Sequence, residues 1–212
     1  MVELPNGVDA ELFCPGEKDR RLVARYGLDG KTVVLFVGNL QPFKRLDLVI
    51  DAMAGTDRPD IVLLVVGGGY GEEGYRSRVR ELRLDDRVIF AGPQSPSGEL
   101  PAHYRLGDFL VLPSTHSEAF PLVVLEAMAS GLPVIVSALP GPSGLVDQDR
   151  DGLIARTGDL QDLVRNMELL VAHAEKRREM GAAARGKAME RYRWEKIGER
   201  LEFALTKMVG KC

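Results

Sequence analysis

Six short apolar runs recur along the chain, and their character limits the fold more than any other feature. They lie at 32–37 (TVVLFV), 61–66 (IVLLVV), 88–91 (VIFA), 108–112 (DFLVL), 133–138 (PVIVSA) and, more weakly, 152–155 (GLIA). None alternates apolar with polar residues. A strand with one wet face alternates with period two, so near-continuous apolarity implies strands covered on both faces, the habit of parallel strands flanked by helices. Between the runs, 44–54, 74–84, 98–106 and 121–130 carry helical patterns, with Pro101 admissible only in a first turn and Pro121 suited to the first helical position. Gly131 and Pro133 close the last of these. Strand, helix, strand, repeated, predicts an α/β fold: a single Rossmann-like, doubly wound parallel sheet of about six strands. The segment from 159 to about 209 has no further strand signal and is read as two or three extra C-terminal helices.

Composition narrows the function classes. A net charge of −3 over 212 residues supplies no basic footprint for nucleic acid. Cys14 and Cys212 sit at opposite ends with no Cys/His spacing that suggests zinc, so neither a metal nor a disulfide framework is expected. No apolar run approaches the roughly 18 residues needed to span a bilayer, and the start MVELPNGVDA lacks a signal sequence. A soluble, cytoplasmic protein is the expectation.

With the common strand order 3-2-1-4-5-6, winding reverses between strands 1 and 4, and ligands bind at the carboxyl ends of those strands. Two loops are selected, 38–44 (GNLQPFK) and 113–121 (PSTHSEAFP). The first is expected to deliver Lys44 and Arg45 to the first turn of a helix, where free backbone N–H groups and a cation suit a phosphate. The plain alternative is two solvated basic residues. The second loop carries Glu118 and leads into a helix containing Glu126. A carboxylate within LVVLEAMA is costly to bury without donors, which sugar or ribose hydroxyls would supply. The alternatives are a helix-edge ion pair for Glu126 and a simple helix-start anion for Glu118. Together at one crevice, beside the lysine loop, they favour a nucleotide-sugar site.

A competing signal lies after the second run, where Gly69, Gly71 and Gly74 spell the G-x-G-x-x-G of dinucleotide sites. That motif also requires an acidic residue about 20 residues on, at the end of the next strand. Here the candidates Asp85 and Asp86 precede strand 3, which ends in IFAG. A nicotinamide oxidoreductase is therefore disfavoured, and the glycines are expected to let this loop approach a single nucleotide.

The stretch SEAFPLVVLEAMASGLPVIVS resembles the E-x7-E signature of the retaining family 4 glycosyltransferases of the GT-B fold. The likeness extends from NGVDAELFCPG through VVLFVGNLQPFKRLDLVIDAM, LLVVGGGYG and DFLVLPSTHSEAFP to RYRWEKIGERLE, and covers the C-terminal, donor-binding half. It implies that Lys44 neutralises the diphosphate of a nucleoside diphosphate sugar, Glu118 contacts the sugar and Glu126 holds the ribose hydroxyls. It further implies that the backbone of Phe120, Leu122 and Val123, at Pro121, faces phosphates and sugar. Gly92, Pro93 and Gln94 would read the base, Gly38 and Gly67 would line the donor site, and His116 and Ser117 are candidate contacts. The family usually carries arginine where this chain has Asn39, which removes one charge from the phosphate clamp and cannot be bidentate. Arg45 and Ala119 stand where glycine is common.

The resemblance divides the chain into a linker remnant (1–17), a nucleotide-sugar-binding domain (18–190) and a helical tail (191–212). It implies an N-terminal acceptor-binding half beyond these residues, with peripheral membrane contact through that half, no metal or other cofactor, and little transfer by this chain alone. Ile197, Leu201, Leu205 and Met208, at helical spacing, are expected to meet the absent half or to pack locally. A non-catalytic nucleotide or nucleotide-sugar binding module is the second reading, encouraged by Asn39.

Overall fold

The six apolar runs fold as β1 (Thr32–Val37), β2 (Ile61–Val66), β3 (Val88–Gly92), β4 (Phe109–Leu112), β5 (Val134–Ser137) and β6 (Gly152–Ala155). They pair in parallel in the order β3-β2-β1-β4-β5-β6, so the winding reverses between β1 and β4 as expected. The structure, a computed structural model, describes residues 4–56, 58–116 and 118–209; Ser117, Cys212 and the outermost residues of both terminal segments lie outside them. β1 and β2 run in register from Thr32 beside Ile61 to Val37 beside Val66. All six residues of β2 are buried, which is why its sequence does not alternate.

The helices are α1 (Arg20–Tyr26), α2 (Leu46–Ala54), α3 (Glu72–Glu81), α4 (Leu100–Leu106), α5 (Leu122–Ala129), α6 (Pro140–Ser143), α7 (Leu160–Ala172), α8 (Ala174–Arg191) and α9 (Trp194–Val209). Alternate β1 side chains feed two cores. Val33, Leu35 and Val37 join Tyr104, Leu125, Met128 and Ala184 on one face. Val34 and Phe36 join Ile50, Met53, Leu163 and Met167 on the other. Each such buried aliphatic or aromatic side chain contributes about 1.5–3 kcal/mol, and truncating Phe36 to alanine would cost about 3–5 kcal/mol.

Local features depart from the sequence reading, among them the short α6 at Pro140–Ser143, which it did not include. α1 is an additional helix, started by Asp19, whose carboxylate accepts from the Arg21 and Leu22 N–H groups, and ended by Gly27 at φ 61°. Lys44 and Arg45 precede α2 rather than forming its first turn. Pro42 opens a 3-10 turn over Pro42–Lys44, and Arg45 adopts the left-handed region at φ 54°, which breaks the run before Leu46. Pro121 caps α5 from outside instead of occupying its first helical position.

The N-terminal segment is tied to the domain body. Val8 N–H donates to Tyr192 O at 2.7 Å, and Arg185 reaches Ala10 O and Phe13 O at 3.0 Å each. On α9, Ile197 is buried whereas Leu201 and Leu205 are exposed, so the apolar stripe is only partly covered by this domain.

Candidate active site

The loops after β1 and β4 meet at the switch point. Thr115 N–H donates to Phe43 O at 2.9 Å, which fastens one loop to the other. Across this junction the Lys44 ammonium donates to Glu118 Oε1. The Ser114 hydroxyl donates to the same oxygen at 2.7 Å. The Lys44 and Glu118 side chains are 15% and 9% exposed, so the pair lies in a largely desolvated setting where each charge requires the other. Arg45, left-handed at φ 54°, holds Asp47 with its Nε at 3.0 and 3.1 Å from the two carboxylate oxygens. Its guanidinium is thus engaged within its own turn by Asp47.

Glu126 lies on α5, and its partner is neither a surface base nor a helix terminus. Tyr104 Oη, from the fully buried face of α4, donates to Glu126 Oε2 at 2.6 Å. Burial pushes the Glu126 carboxyl above the ordinary range, partly offset by the Tyr104 hydrogen bond. The Tyr104 phenol is pushed well above its ordinary value, first by burial and then by the neighbouring carboxylate.

The glycine loop after β2 is explained by its contact with the loop after β1. A Cβ on Gly67, at φ 145°, would lie 1.8 Å from Gly38 O; on Gly69, at φ 149°, 2.3 Å from Asn39 Oδ1; on Gly71, 2.6 Å from Leu40 O. Leu40 N–H donates to Gly68 O at 3.1 Å, so the two backbones are in direct contact. Gly74 falls inside α3 with open space around it. The lack of side chains at Gly67, Gly69 and Gly71 is a requirement set by the protein itself. Beside that contact, Gly38, Asn39, Gly67, Gly68, Pro93 and Gln94 wall an open cavity of about 300 Å³, with Leu100 of α4 at its margin. Gly92 O accepts from Gly67 N–H at 3.0 Å, which links the ends of β2 and β3.

The remaining candidates are distributed around α5. His116 is exposed, Phe120 is half-buried against Tyr192 with ring centroids 6.0 Å apart, Leu122 is exposed at the start of α5, and Val123 packs against the core. Three further residues shape the site. Ser114 and Tyr104 bond the two glutamates, and Gly141 of α6 presses so closely on the glutamate loop that a Cβ there would lie 1.6 Å from Glu118 O. Ser114 had a signal, since a serine in a β4 loop four residues before a glutamate is a ready donor. Tyr104 and Gly141 act across 22 and 23 residues of sequence, where spacing carries no message.

Fold and site define a doubly wound Rossmann-like domain whose polar side chains converge at the carboxyl ends of β1 and β4. The chain belongs to the family described as Glycosyl transferases group 1, which matches residues 19–187. It is 31% identical to the GDP-mannose-dependent alpha-(1-6)-phosphatidylinositol monomannoside mannosyltransferase of Mycolicibacterium smegmatis, over 97% of this chain and 56% of that protein. Among solved structures it resembles Anabaena HepE, determined with UDP (TM-score 0.87) and with UDP-glucose (TM-score 0.85), at 26% identity over 95% of this chain and 56% of that one. It also resembles the C-terminal domain of a glycosyl transferase group 1 family protein, LpcC, of Francisella tularensis. There the TM-score is 0.80 at 25% identity, over 89% of this chain and all of that one. The chain spans about half the length of the curated relatives it matches. The fold is that of a GT-B C-terminal domain.

Proposed function

We propose that this chain is the donor-binding half of a retaining hexosyltransferase that moves a sugar from a nucleoside diphosphate sugar to an acceptor. The acceptor is held by an N-terminal domain beyond these residues. The observation that supports the reading is the Lys44–Glu118 pair at the switch point, a cation suited to a diphosphate beside a carboxylate suited to sugar hydroxyls. The diphosphate takes Lys44 and the free N–H groups at the start of α5, while Glu118 turns to the sugar hydroxyls and Glu126 to the ribose. Charge that develops on the leaving diphosphate is met by groups already in place, which is electrostatic stabilisation and assigns no step to a metal. The GDP-mannose dependence of the mycobacterial relative and the UDP-glucose complex of HepE support a nucleotide-sugar donor without fixing base or sugar.

In this reading the other half brings the acceptor, so the chain alone binds donor with little transfer. Cytoplasmic location and membrane contact through the other half belong to the same proposal; among the described residues no helix is long and apolar enough to cross a membrane. A second reading, a non-catalytic binding module, draws on one observation: Asn39 supplies no charge and Arg45 is engaged by Asp47. It expects binding but no transfer once the N-terminal half is restored.

Calorimetric titration with UDP, GDP, ADP and dTDP, and with their sugars, tests the site. Tight binding of one, weakened about tenfold or more in Lys44→Ala, is expected. Unchanged affinity in that variant would remove Lys44 from the phosphate.

A further inference from the structure

We infer that the cavity between the glutamate loop and α9 is a second anion site, in which Arg200 and Tyr192 hold a phosphate group carried by the acceptor. That the phosphate belongs to an acceptor rests on the glycosyltransferase reading given above; the site itself does not.

The cavity has a volume of about 360 Å³ and is walled by Ala119 and Phe120 of the loop after β4, Gly141 of α6, Leu145 just beyond it, Tyr192 at the end of α8 and Arg200 of α9. Two polar groups on these walls are unused within the protein. Tyr192 is only 9% exposed and its ring is fixed against Phe120, yet among the described residues its hydroxyl has no hydrogen-bond partner. That hydroxyl is not fully buried, so it opens on the cavity. A largely buried phenol requires an acceptor, and here only an occupant of the cavity can supply one. Arg200 is exposed and has no ion-pair or hydrogen-bond partner among the described residues, whereas its neighbour Glu199 is engaged by Lys196 at 2.6 Å.

Charge and shape select the ligand. Among the described residues no carboxylate side chain lines the cavity, and Glu118, next to Ala119, has its carboxylate held by Lys44 and Ser114. An anion entering the cavity therefore meets one cation and no free like charge. The guanidinium offers a fork of N–H donors and the phenol one more, from a different element of the fold. A phosphate monoester, with three terminal oxygens in a tetrahedral array, can accept from both at once, whereas the acceptor positions of a carboxylate lie in one plane. The location supplies the use: the cavity starts at the residue after Glu118, and Gly141 on its wall packs directly on Glu118 O. A phosphate anchored there tethers the acceptor beside the proposed sugar position, which reduces the entropic cost of orienting the two reactants.

The test is calorimetric titration of the chain with glycerol 3-phosphate at constant chloride, alone and with saturating UDP or GDP, and in a parallel arm with vesicles that carry phosphatidic acid. Arg200→Gln should weaken binding at least about tenfold, and Tyr192→Phe by about threefold to tenfold. Both variants should melt with wild type, because neither the exposed guanidinium nor the unpartnered hydroxyl holds the fold together. Arg83→Gln, at an exposed arginine after α3, should keep the wild-type affinity. No loss in Arg200→Gln, or an equal loss in Arg83→Gln, overturns the inference. So does glycerate binding as tightly as glycerol 3-phosphate, and so does displacement of the ester by UDP or GDP, which would put it in the donor crevice. Arg200-dependent binding of the soluble ester assigns the phosphate to a soluble acceptor, and of the vesicles alone to a lipid headgroup; binding of neither overturns the site. A chain that binds glycerol 3-phosphate through Arg200 but neither UDP nor GDP keeps the anion site and loses the glycosyltransferase reading.

Discussion

Lys44 and Glu118, 74 residues apart in sequence, are joined directly across the switch point, with Ser114 as a second donor to the same carboxylate oxygen. The crevice thus holds its cation and its anion against each other. In the proposed function, a diphosphate entering the crevice should compete with Glu118 for Lys44, and a sugar entering with it should compensate Glu118 for the lost partner, which would favour the complete donor over the bare diphosphate.

Because both side chains are mostly buried, loss of one should cost more than loss of both. Lys44→Met is expected to lower the unfolding free energy by about 3 kcal/mol, since among the described residues it leaves the Glu118 carboxylate only Ser114 as a hydrogen-bond donor. Lys44→Met combined with Glu118→Gln should recover a large part of that. Urea denaturation of the four proteins measures the coupling, and purely additive losses would show that the pair is energetically idle.

The glycine loop permits a test within one motif. Gly69→Ala demands a left-handed backbone of alanine and drives its Cβ onto Asn39, so a loss of about 3 kcal/mol or more is expected. Gly74→Ala, in α3 with open space around it, should stabilise by about 0.5–1 kcal/mol. Thermal melting without nucleotide suffices. Equal effects at the two positions would contradict the loop-on-loop account.

The contrast between those glycines shows what was legible in the sequence. β1, β2 and β6 were bounded by composition alone, and the strand order followed from the doubly wound pattern, because burial on both faces is written into continuous Val, Ile and Leu. α1 was not visible, since its seven residues bury only Leu22 and its start depends on a single aspartate. The left-handed Arg45 was not visible either, because arginine seldom adopts that region without tertiary constraint. Lys44, Glu118 and Glu126 were singled out by residue type and spacing, but the partners they have in the structure were not. The Lys44–Glu118 contact and the Tyr104 hydrogen bond arise from how α4, α5 and two loops stack on the sheet, which sequence spacing does not encode.

Gly141 controls where Glu118 sits. Its backbone is not left-handed, so alanine is conformationally acceptable there, and the obstacle is the Glu118 carbonyl 1.6 Å from the new Cβ. Either α6 or the 118–119 backbone must move. Gly141→Ala should cost about 1–3 kcal/mol in stability. In the proposed function it should also weaken UDP-glucose or GDP-mannose binding more than binding of the bare diphosphate, because Glu118 faces the sugar. Calorimetry on donor and diphosphate separates the two, and a uniform loss would remove the sugar-side role.

The carboxyl of Glu126 should make stability and, in the proposed function, nucleotide binding respond to pH in opposite directions. Burial raises its pKa above the ordinary value of 4.5, with Tyr104 opposing. A carboxyl that binds its proton more tightly in the folded than in the unfolded state adds stability as pH falls through the raised folded value, and the gain is complete below the unfolded one. Relative to Glu126→Gln, wild type should therefore be less stable at pH 7 and close that gap as pH is lowered toward 4.5. The lowered carboxyls of Asp147 and Asp162 are common to both proteins and cancel in the difference. Nucleoside diphosphate affinity should fall over the same window in wild type, because the protonated carboxyl has surrendered acceptor capacity to its own proton. Melting curves of both proteins from pH 4 to pH 7.5, paired with titrations at each pH, check the two signs together; a stability difference that does not change with pH would place the Glu126 carboxyl in an ordinary, solvated setting.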